Sequence, residues 1–432
     1  MERREGSEPG VLRTSDLEYD LPESLIATSP AEPRDSARLL VVSRSDPSRL
    51  EHRVVRDLPE LLLPRDLLVL NTTRVVPARL IGHRADTGGH VEGLYLDEAD
   101  AYLGHEAVPE RGVDASERRW AVLLQGKRMK AGIDVVIELD GAGGAGPGPD
   151  SGVRLHLLSP LGSEDRGGWI VSVRGALEGE GSVAILERVG RTPLPPYILK
   201  AREREAEAAS ASHVGEAYDR ARYQTVYARG AEPDGATGGG GERAARDSGA
   251  SVAAPTAGLH LTPAVLEGLR ARGVGRADVV LHVGSGTFRP VEAEFVEQHR
   301  MHTERCAMPR QTRGAILGTR GDAAGRVGRV ICVGTTSART VESFARLAAS
   351  GDEGREGDAA DWLATDILIT PGYPWRWTDG LLTNFHLPRS TLLAMVASLF
   401  PGGVARLMEI YGVALRERYR FYSYGDAMLV LP

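Results

Sequence analysis

A change of texture along the chain limits its fold more than any other feature. From about Ile81 to Val189 the sequence is a run of short strands broken by glycines: "HVEGLYL", "RRWAVLLQG", "DVVIELDG", "GVRLHLLS" and "GWIVSVRG". Several alternate apolar and polar residues, the period of a half-buried antiparallel strand. After Ser251, strand-like "ADVVLHVG", "VGRVICVG" and "TDILITPG" alternate with helical stretches such as "TPAVLEGLRARG" and "ARTVESFARLAAS". Thr262 and Pro263 make an N-cap and first-turn pair, and Gly273 makes a stop. Leu67 to Leu70 carries the signal of a buried strand, closed by a turn and Pro77. Strand–helix alternation implies a mixed or parallel sheet covered by helices. The expected architecture is therefore α/β with an inserted small β-barrel domain and a mixed sheet flanked by helices. Residues 16–80 and 190–432 form the α/β domain and 81–189 the barrel.

Three stretches are rich in Gly, Ala and charge and poor in large apolar side chains: 1–15, 228–249 and 349–361. Such segments cannot offset the entropy of ordering, so they are expected to be flexible. The run 201–216 is expected to be flexible or a short solvated helix.

A net charge of −7 argues against a globally basic nucleic-acid coat protein but leaves room for a local basic face. Two cysteines, Cys306 and Cys332, make no disulfide framework and fit a reducing compartment. The charged N-terminus has no apolar core, and runs such as "TLLAMVASLF" are too short to cross a bilayer. A cytoplasmic, monomeric protein with no membrane partner is expected.

Several α/β strands run into loops of small and polar residues, and ligands of open α/β sheets sit beyond the carboxyl ends of strands. "CVGTTSART" places Gly334, Thr335, Thr336 and Ser337 at a helix entry, where unpaired N–H groups receive anions or polar groups. "LHVGSGTFRP" offers Gly284, Ser285, Gly286 and Thr287. It lacks the third glycine and following helix of a dinucleotide fingerprint, and the Lys of a P-loop. His260, His282 and His386 all fall near loop mouths of the α/β region, where a proton-handling site would place them. "HRMHTERC" spaces His299, His302 and Cys306 within reach of one metal, but no fourth ligand accompanies them and no metal is expected. Basic clusters occur at "GKRMKAG" (Gly126 to Gly132) and at Arg74, Arg79 and Arg84; they are either solvated surface or contacts to a phosphate backbone.

These readings stop at a two-domain α/β-plus-β protein with a nucleotide-like ligand. The motifs as a set go further. "LPESLIATSPAEPRDSARLL", "DLLVLNTTRVVPARL", "TPLPPYI", "YQTVYA", "SVAAPTAGLHLT", "LHVGSGTFRPV", "MHTE", "VGTTSARTVES", "PGYPWRWTDGLLTNFHLPRSTLL" and "YRFYSYGDAMLV" occur in this order. Together they resemble the S-adenosylmethionine:tRNA ribosyltransferase-isomerase family of queuosine biosynthesis, over nearly the whole chain. Ser285 stands where that family usually has Ala, Leu261 where Phe is common, and Thr72 where Asp or Asn is usual.

The resemblance implies a barrel inserted in an α/β domain. It implies S-adenosylmethionine as co-substrate and no tightly bound cofactor. The partner it implies is tRNA carrying 7-aminomethyl-7-deazaguanine at the wobble position, converted to epoxyqueuosine-tRNA with release of adenine and methionine. In the family-matching loops His260 and His386 are the first acid/base candidates, with His282 and Glu342 behind them. Gly284, Ser285, Gly286, Thr287, Gly334, Thr335, Thr336 and Ser337 are candidates to hold the adenosyl and methionine parts. Arg74, Tyr223 and Asp379 are candidates for the deazaguanine or ribose, and Tyr223, Tyr373 or Trp375 offer an aromatic face to the sulfonium. Two rival readings are a nicotinamide-dependent oxidoreductase, which lacks its fingerprint, and a non-catalytic RNA-binding protein, which explains the barrel but not the polar loops.

Overall fold

The structure is a computed structural model. It describes residues 11–46, 48–103, 118–140, 148–162, 167–177, 179–208, 215–228, 250–282, 291–301, 303–321, 325–351 and 361–432. The segments expected to be flexible fall largely outside this set: 1–10, 229–249 and 352–360 all lie outside the described residues.

The strands in chain order are β1 (Arg38–Ser43), β2 (Leu50–Val54), β3 (Leu67–Asn71), β4 (Arg74–Val75), β5 (Arg79–Arg84), β6 (His90–Glu98), β7 (Arg119–Gln125), β8 (Asp134–Glu138), β9 (Asp150–Pro160), β10 (Gly168–Arg174), β11 (Ala250–Ser251), β12 (Gly275–Leu281), β13 (Glu304–Met308), β14 (Val330–Val333), β15 (Asp361–Thr365), β16 (Gly380–Asn384) and β17 (Ala427–Leu431). β5 to β10 close into an antiparallel barrel in the order β10-β7-β6-β5-β8-β9. A nine-stranded sheet runs β15-β13-β12-β3-β14-β16-β17-β1-β2. Its centre is parallel, with β3 between β12 and β14 and β16 beside β14; β13 pairs antiparallel with β12 and β15, and β17 pairs antiparallel with β16 but parallel with β1. The α/β fold with a barrel and a mixed sheet is as the sequence texture indicates.

The central strands β3, β14 and β16 are buried at every position, as strands covered on both faces must be. One face packs against the helices Thr335–Ala349, Thr391–Ala397 and Gly403–Arg416 through Val341, Phe344, Leu393, Leu407 and Ile410. The other packs against the helix Pro263–Ala271 through Val265 and Leu269. That helix starts where the sequence says it should: the Thr262 hydroxyl accepts from the Val265 N–H at 3.3 Å, and Gly273 (φ +78°) follows its end. One strand is displaced from its expected place. β15 is Asp361–Thr365 rather than "TDILITPG", because the Thr365 hydroxyl accepts the Ile367 N–H and the chain leaves the sheet there. Ile367 and Ile369 are still buried in the core.

The barrel joins the sheet domain through a tight root. β4 pairs with β11, the Val76 N–H donates to the Ser251 carbonyl, and Arg79 bridges to Arg191. At Gly190 a Cβ would lie 1.7 Å from the Pro77 carbonyl oxygen, so the return crossing needs glycine. The chain leaving β11 passes directly into 253–257, which brings the barrel root beside the carboxyl edge of the sheet.

Candidate active site

A pocket opens beyond the carboxyl ends of β14 and β16, lined on one side by Gly334, Thr335 and Thr336. Gly334 leaves β14 with φ +85° and is the N-cap of the helix Thr335–Ala349. Having no side chain, it caps none of the first amides, and the first-turn N–H groups keep their partial positive charge. The Ser337 hydroxyl turns inward instead and donates to the Val333 carbonyl at 2.7 Å. Thr336 is tied to β3 through Asn71, whose side-chain oxygen also receives the Leu281 N–H at the end of β12. Gly284, Ser285, Gly286 and Thr287 lie outside the described residues.

The other walls come from four separate segments. Thr256 donates to Asn384 Oδ1 at 2.9 Å, and Asn384 Nδ2 donates to the Tyr422 carbonyl at 3.1 Å. The hydroxyls of Tyr197 and Ser423 meet at 2.5 Å, and the Tyr197 and Tyr422 rings pack with centroids 4.6 Å apart and planes tilted by 55°. Tyr422 holds φ +71°, a conformation costly for a bulky residue and fixed here by its N–H bond to the Phe385 carbonyl. None of these wall residues except Gly334, Thr335, Thr336 and His386 stands out in the sequence by itself. "TPLPPYI", "SVAAPTAGLHLT" and "YRFYSYGDAMLV" contain Tyr197, Thr256 and Ser423, but nothing in a linear reading says which polar residue of each faces a ligand.

His386 is in the wall. Its Nε2 lies 2.7 Å from the Thr383 hydroxyl. Its main chain is held at both ends, the N–H donating to the Tyr411 hydroxyl at 2.9 Å and the carbonyl accepting from Tyr19. Burial pushes its imidazole down to about 4. His260 is close by but faces away. Nδ1 is 3.1 Å from the Ala257 carbonyl and Nε2 2.8 Å from the Gly425 carbonyl, so both ring nitrogens are occupied by main chain. His282 follows β12 and packs edge-on against Trp362 at 5.2 Å; burial, aided by Arg305, pushes it down to about 4. Its Nε2 has no partner among the described residues.

The remaining candidates are placed elsewhere. Glu342 is fully buried and holds the "PWRWT" loop: Oε1 accepts the Trp377 and Thr378 N–H groups at 3.0 and 2.8 Å, and Oε2 the Arg376 N–H at 2.9 Å and the Tyr373 hydroxyl at 3.2 Å. Tyr373 and Trp375 are therefore loop anchors outside the pocket wall, Trp375 Nε1 donating to Ser398. Arg74 pairs with Glu187 at 2.8 Å. Tyr223 is buried against Tyr424 behind the wall residue Ala254. Asp379 lies at the opposite edge of the sheet: it accepts the Val330 N–H at the start of β14 and pairs with Arg326 at 2.5 Å. Since β14 and β16 run parallel, their starting edge is a strand length from their carboxyl edge. Cys306 points into the sheet core with its thiol pushed up to about 12 by burial, and His302 lies outside the described residues. Among the described residues no cluster of three His, Cys, Asp or Glu could hold a metal.

Fold and site define a class: an α/β protein with an inserted antiparallel barrel and a hydroxyl-rich pocket at the carboxyl edge of its sheet. Among the described lining residues there is no Lys, Arg, Asp or Glu. Residues 14–430 match the family described as queuosine biosynthesis protein. An S-adenosylmethionine:tRNA ribosyltransferase-isomerase from Rubrobacter xylanophilus is 42% identical over 97% of this chain and 98% of its own length. One from Gloeobacter violaceus is 42% identical over 97% of this chain and 96% of its own. A crystal structure of S-adenosylmethionine tRNA ribosyltransferase from Thermotoga maritima covers 96% of this chain and 100% of that one at 28% identity, with a TM-score of 0.44. The chain belongs to the queuosine biosynthesis protein family.

Proposed function

We propose that this protein transfers and isomerises the ribosyl group of S-adenosylmethionine onto 7-aminomethyl-7-deazaguanine at the tRNA wobble position. The products are epoxyqueuosine-tRNA, adenine and methionine. Family membership over 97% of the chain supports this against the nicotinamide and non-catalytic readings. The protein works in the cytoplasm as a monomer and needs no tightly bound cofactor; no helix among the described residues is long and apolar enough to cross a membrane.

The observation that carries the chemistry is His386, the one imidazole among the described lining residues. The reaction needs a proton removed from C5′ of the ribose, whose acidity the adjacent sulfonium raises. A neutral imidazole accepts that proton, and a histidine pushed down to about 4 is neutral at pH 7. Thr383 orients its ring. The first-turn amides of Thr335, Thr336 and Ser337 suit the methionine carboxylate, and Thr256 offers an acceptor. Gly284, Ser285, Gly286 and Thr287 complete the adenosyl site in this reading. His260 and Glu342 act as positioning residues, and Arg74, Tyr223 and Asp379 as framework.

The test is incubation of the purified protein with S-adenosylmethionine and tRNA bearing the aminomethyl base. Adenine release with a mass increase of the tRNA supports the proposal; methyl transfer without adenine release sinks it. In His386→Gln, adenine release should fall at least a hundredfold, the range of a lost general base.

A further inference from the structure

We infer that the barrel loop Gly126 to Gly132 is a docking surface for the phosphate backbone of RNA, contacting it away from the base that is modified. The inference rests on the reading of tRNA as substrate.

The loop joins β7 to β8, which are not neighbours; it crosses the ends of β6 and β5 at one mouth of the barrel. Its path is held from beneath. Arg84 is 8% exposed, and its Nη1 donates to the carbonyls of Lys127 at 2.8 Å and Arg128 at 3.1 Å. Its Nε and Nη2 donate to the two oxygens of Asp86 at 2.9 and 2.6 Å, so its own charge is balanced. Arg128 takes φ +55° over this brace, Met129 packs on the barrel core, and the Gly132 N–H donates to the Leu157 carbonyl. A loop pinned at both ends presents its side chains at little further entropic cost.

The charge pattern picks the loop out. Every other described Lys or Arg between residues 79 and 191 has a carboxylate within 3.9 Å. Lys127, Arg128 and Lys130 are exposed and pair with no acid among the described residues. On a protein of net charge −7, three uncompensated cations on one braced loop make a local site for a polyanion. β5 leads from the barrel root at Arg79 to Arg84 beneath the loop, about 17 Å at ~3.3 Å per residue. The root adjoins the pocket-lining segment 253–257. A base held in the pocket therefore leaves its own phosphate near the root, and the loop meets phosphates further along the RNA.

The experiment compares wild type with Lys127→Gln/Arg128→Asn/Lys130→Gln, Asn being tolerant of φ above zero. Adenine release is followed against the concentration of full-length modified tRNA at several salt concentrations. The KM for tRNA should rise about tenfold. The slope of log KM against log salt should flatten by about 2 to 3, at ~0.7 to 0.9 per lost phosphate contact. The KM for S-adenosylmethionine and the rate at saturating tRNA should hold. Lys130→Gln alone, an exposed single change, should flatten the slope by about 1. An unchanged tRNA KM and salt slope in both variants overturns the docking surface. Absence of adenine release by wild type overturns the functional reading instead.

Discussion

Asn384 fixes the direction of the Thr256 hydroxyl. Its amide nitrogen donates to the Tyr422 and Ser423 carbonyls at 3.1 and 3.5 Å, so its oxygen must face Thr256, 2.9 Å away, and the hydroxyl must donate to it. The proton of Thr256 is thereby spent within the wall, and only lone pairs are left for the pocket. A ligand group meeting Thr256 must be a donor: an amine, an ammonium or a hydroxyl. S-adenosylmethionine carries all these kinds of donor. Thr256→Val keeps the shape and removes the acceptor. The KM for S-adenosylmethionine should rise about fivefold to tenfold, the worth of one hydrogen bond at ~1 kcal/mol or slightly more, while Thr256→Ser should stay near wild type. Steady-state kinetics with tRNA saturating decides it; equal KM values for the Val variant and wild type exclude the contact.

Glu342 makes a different kind of prediction. Four donors converge on its buried carboxylate from the loop containing Tyr373, Arg376, Trp377 and Thr378. Glu342→Gln replaces one acceptor oxygen by an NH2 facing donors, so at least one buried N–H loses its partner. A loss on the order of 2 to 3 kcal/mol is expected. Urea unfolding should show a lower midpoint with an unchanged m-value. At temperatures where the variant remains folded, its pH–rate profile should match wild type, because Glu342 does not reach the pocket wall.

The contrast between His260 and His386 shows where the sequence stops being informative. Both lie in loops of small and polar residues, and a linear reading ranks them together. The short 3-10 helix Thr256–His260 turns the first ring onto the carbonyls of Ala257 and Gly425, the latter 165 residues away. The turn after β16 leaves the second in the wall. Asp379 is placed apart from the pocket for a related reason: its neighbours in "TDGLLTNFH" reach the pocket, but it sits at the starting end of β16, and only strand direction in the sheet separates the two. The barrel, the strand–helix alternation and the capped helix Pro263–Ala271 were legible because period and cap chemistry are local. The facing of Thr256, Asn384, Tyr197 and Ser423 was not, because it depends on segments that meet only in the fold.

His260 joins two walls of the pocket, since Ala257 belongs to one and Gly425 follows Tyr422 and Ser423 of the other. His260→Ala should loosen both. The KM for S-adenosylmethionine should rise and the melting temperature fall by several degrees, for a loss of roughly 1 to 2 kcal/mol. The shape of the pH–rate profile should not move. A shifted acid limb in this variant would give His260 a direct part in proton transfer and remove it from the positioning role.

His386 carries the converse expectation. Its folded value of about 4 lies below the ordinary 6.5 because burial disfavours the imidazolium. Between pH 4 and 6.5 the unfolded chain binds a proton that the folded one does not, so stability rises with pH across this window. The contribution is fully present above about 6.5 and is lost as pH falls toward 4. His282, also pushed down to about 4, adds a second proton in the same window. Urea unfolding from pH 4.5 to 6.5 should show a stability-against-pH slope on average about 1 kcal/mol per pH unit steeper in wild type than in His386→Gln, most of one proton's worth. The wild-type enzyme should also keep a neutral, competent imidazole well below pH 6.5, placing the acid limb of kcat/KM that belongs to this residue nearer 4 than 6.5. An acid limb at 6.5 that disappears in His386→Gln would mean that the ring is solvated in the working enzyme, and would contradict the buried geometry from which its role as a base is argued.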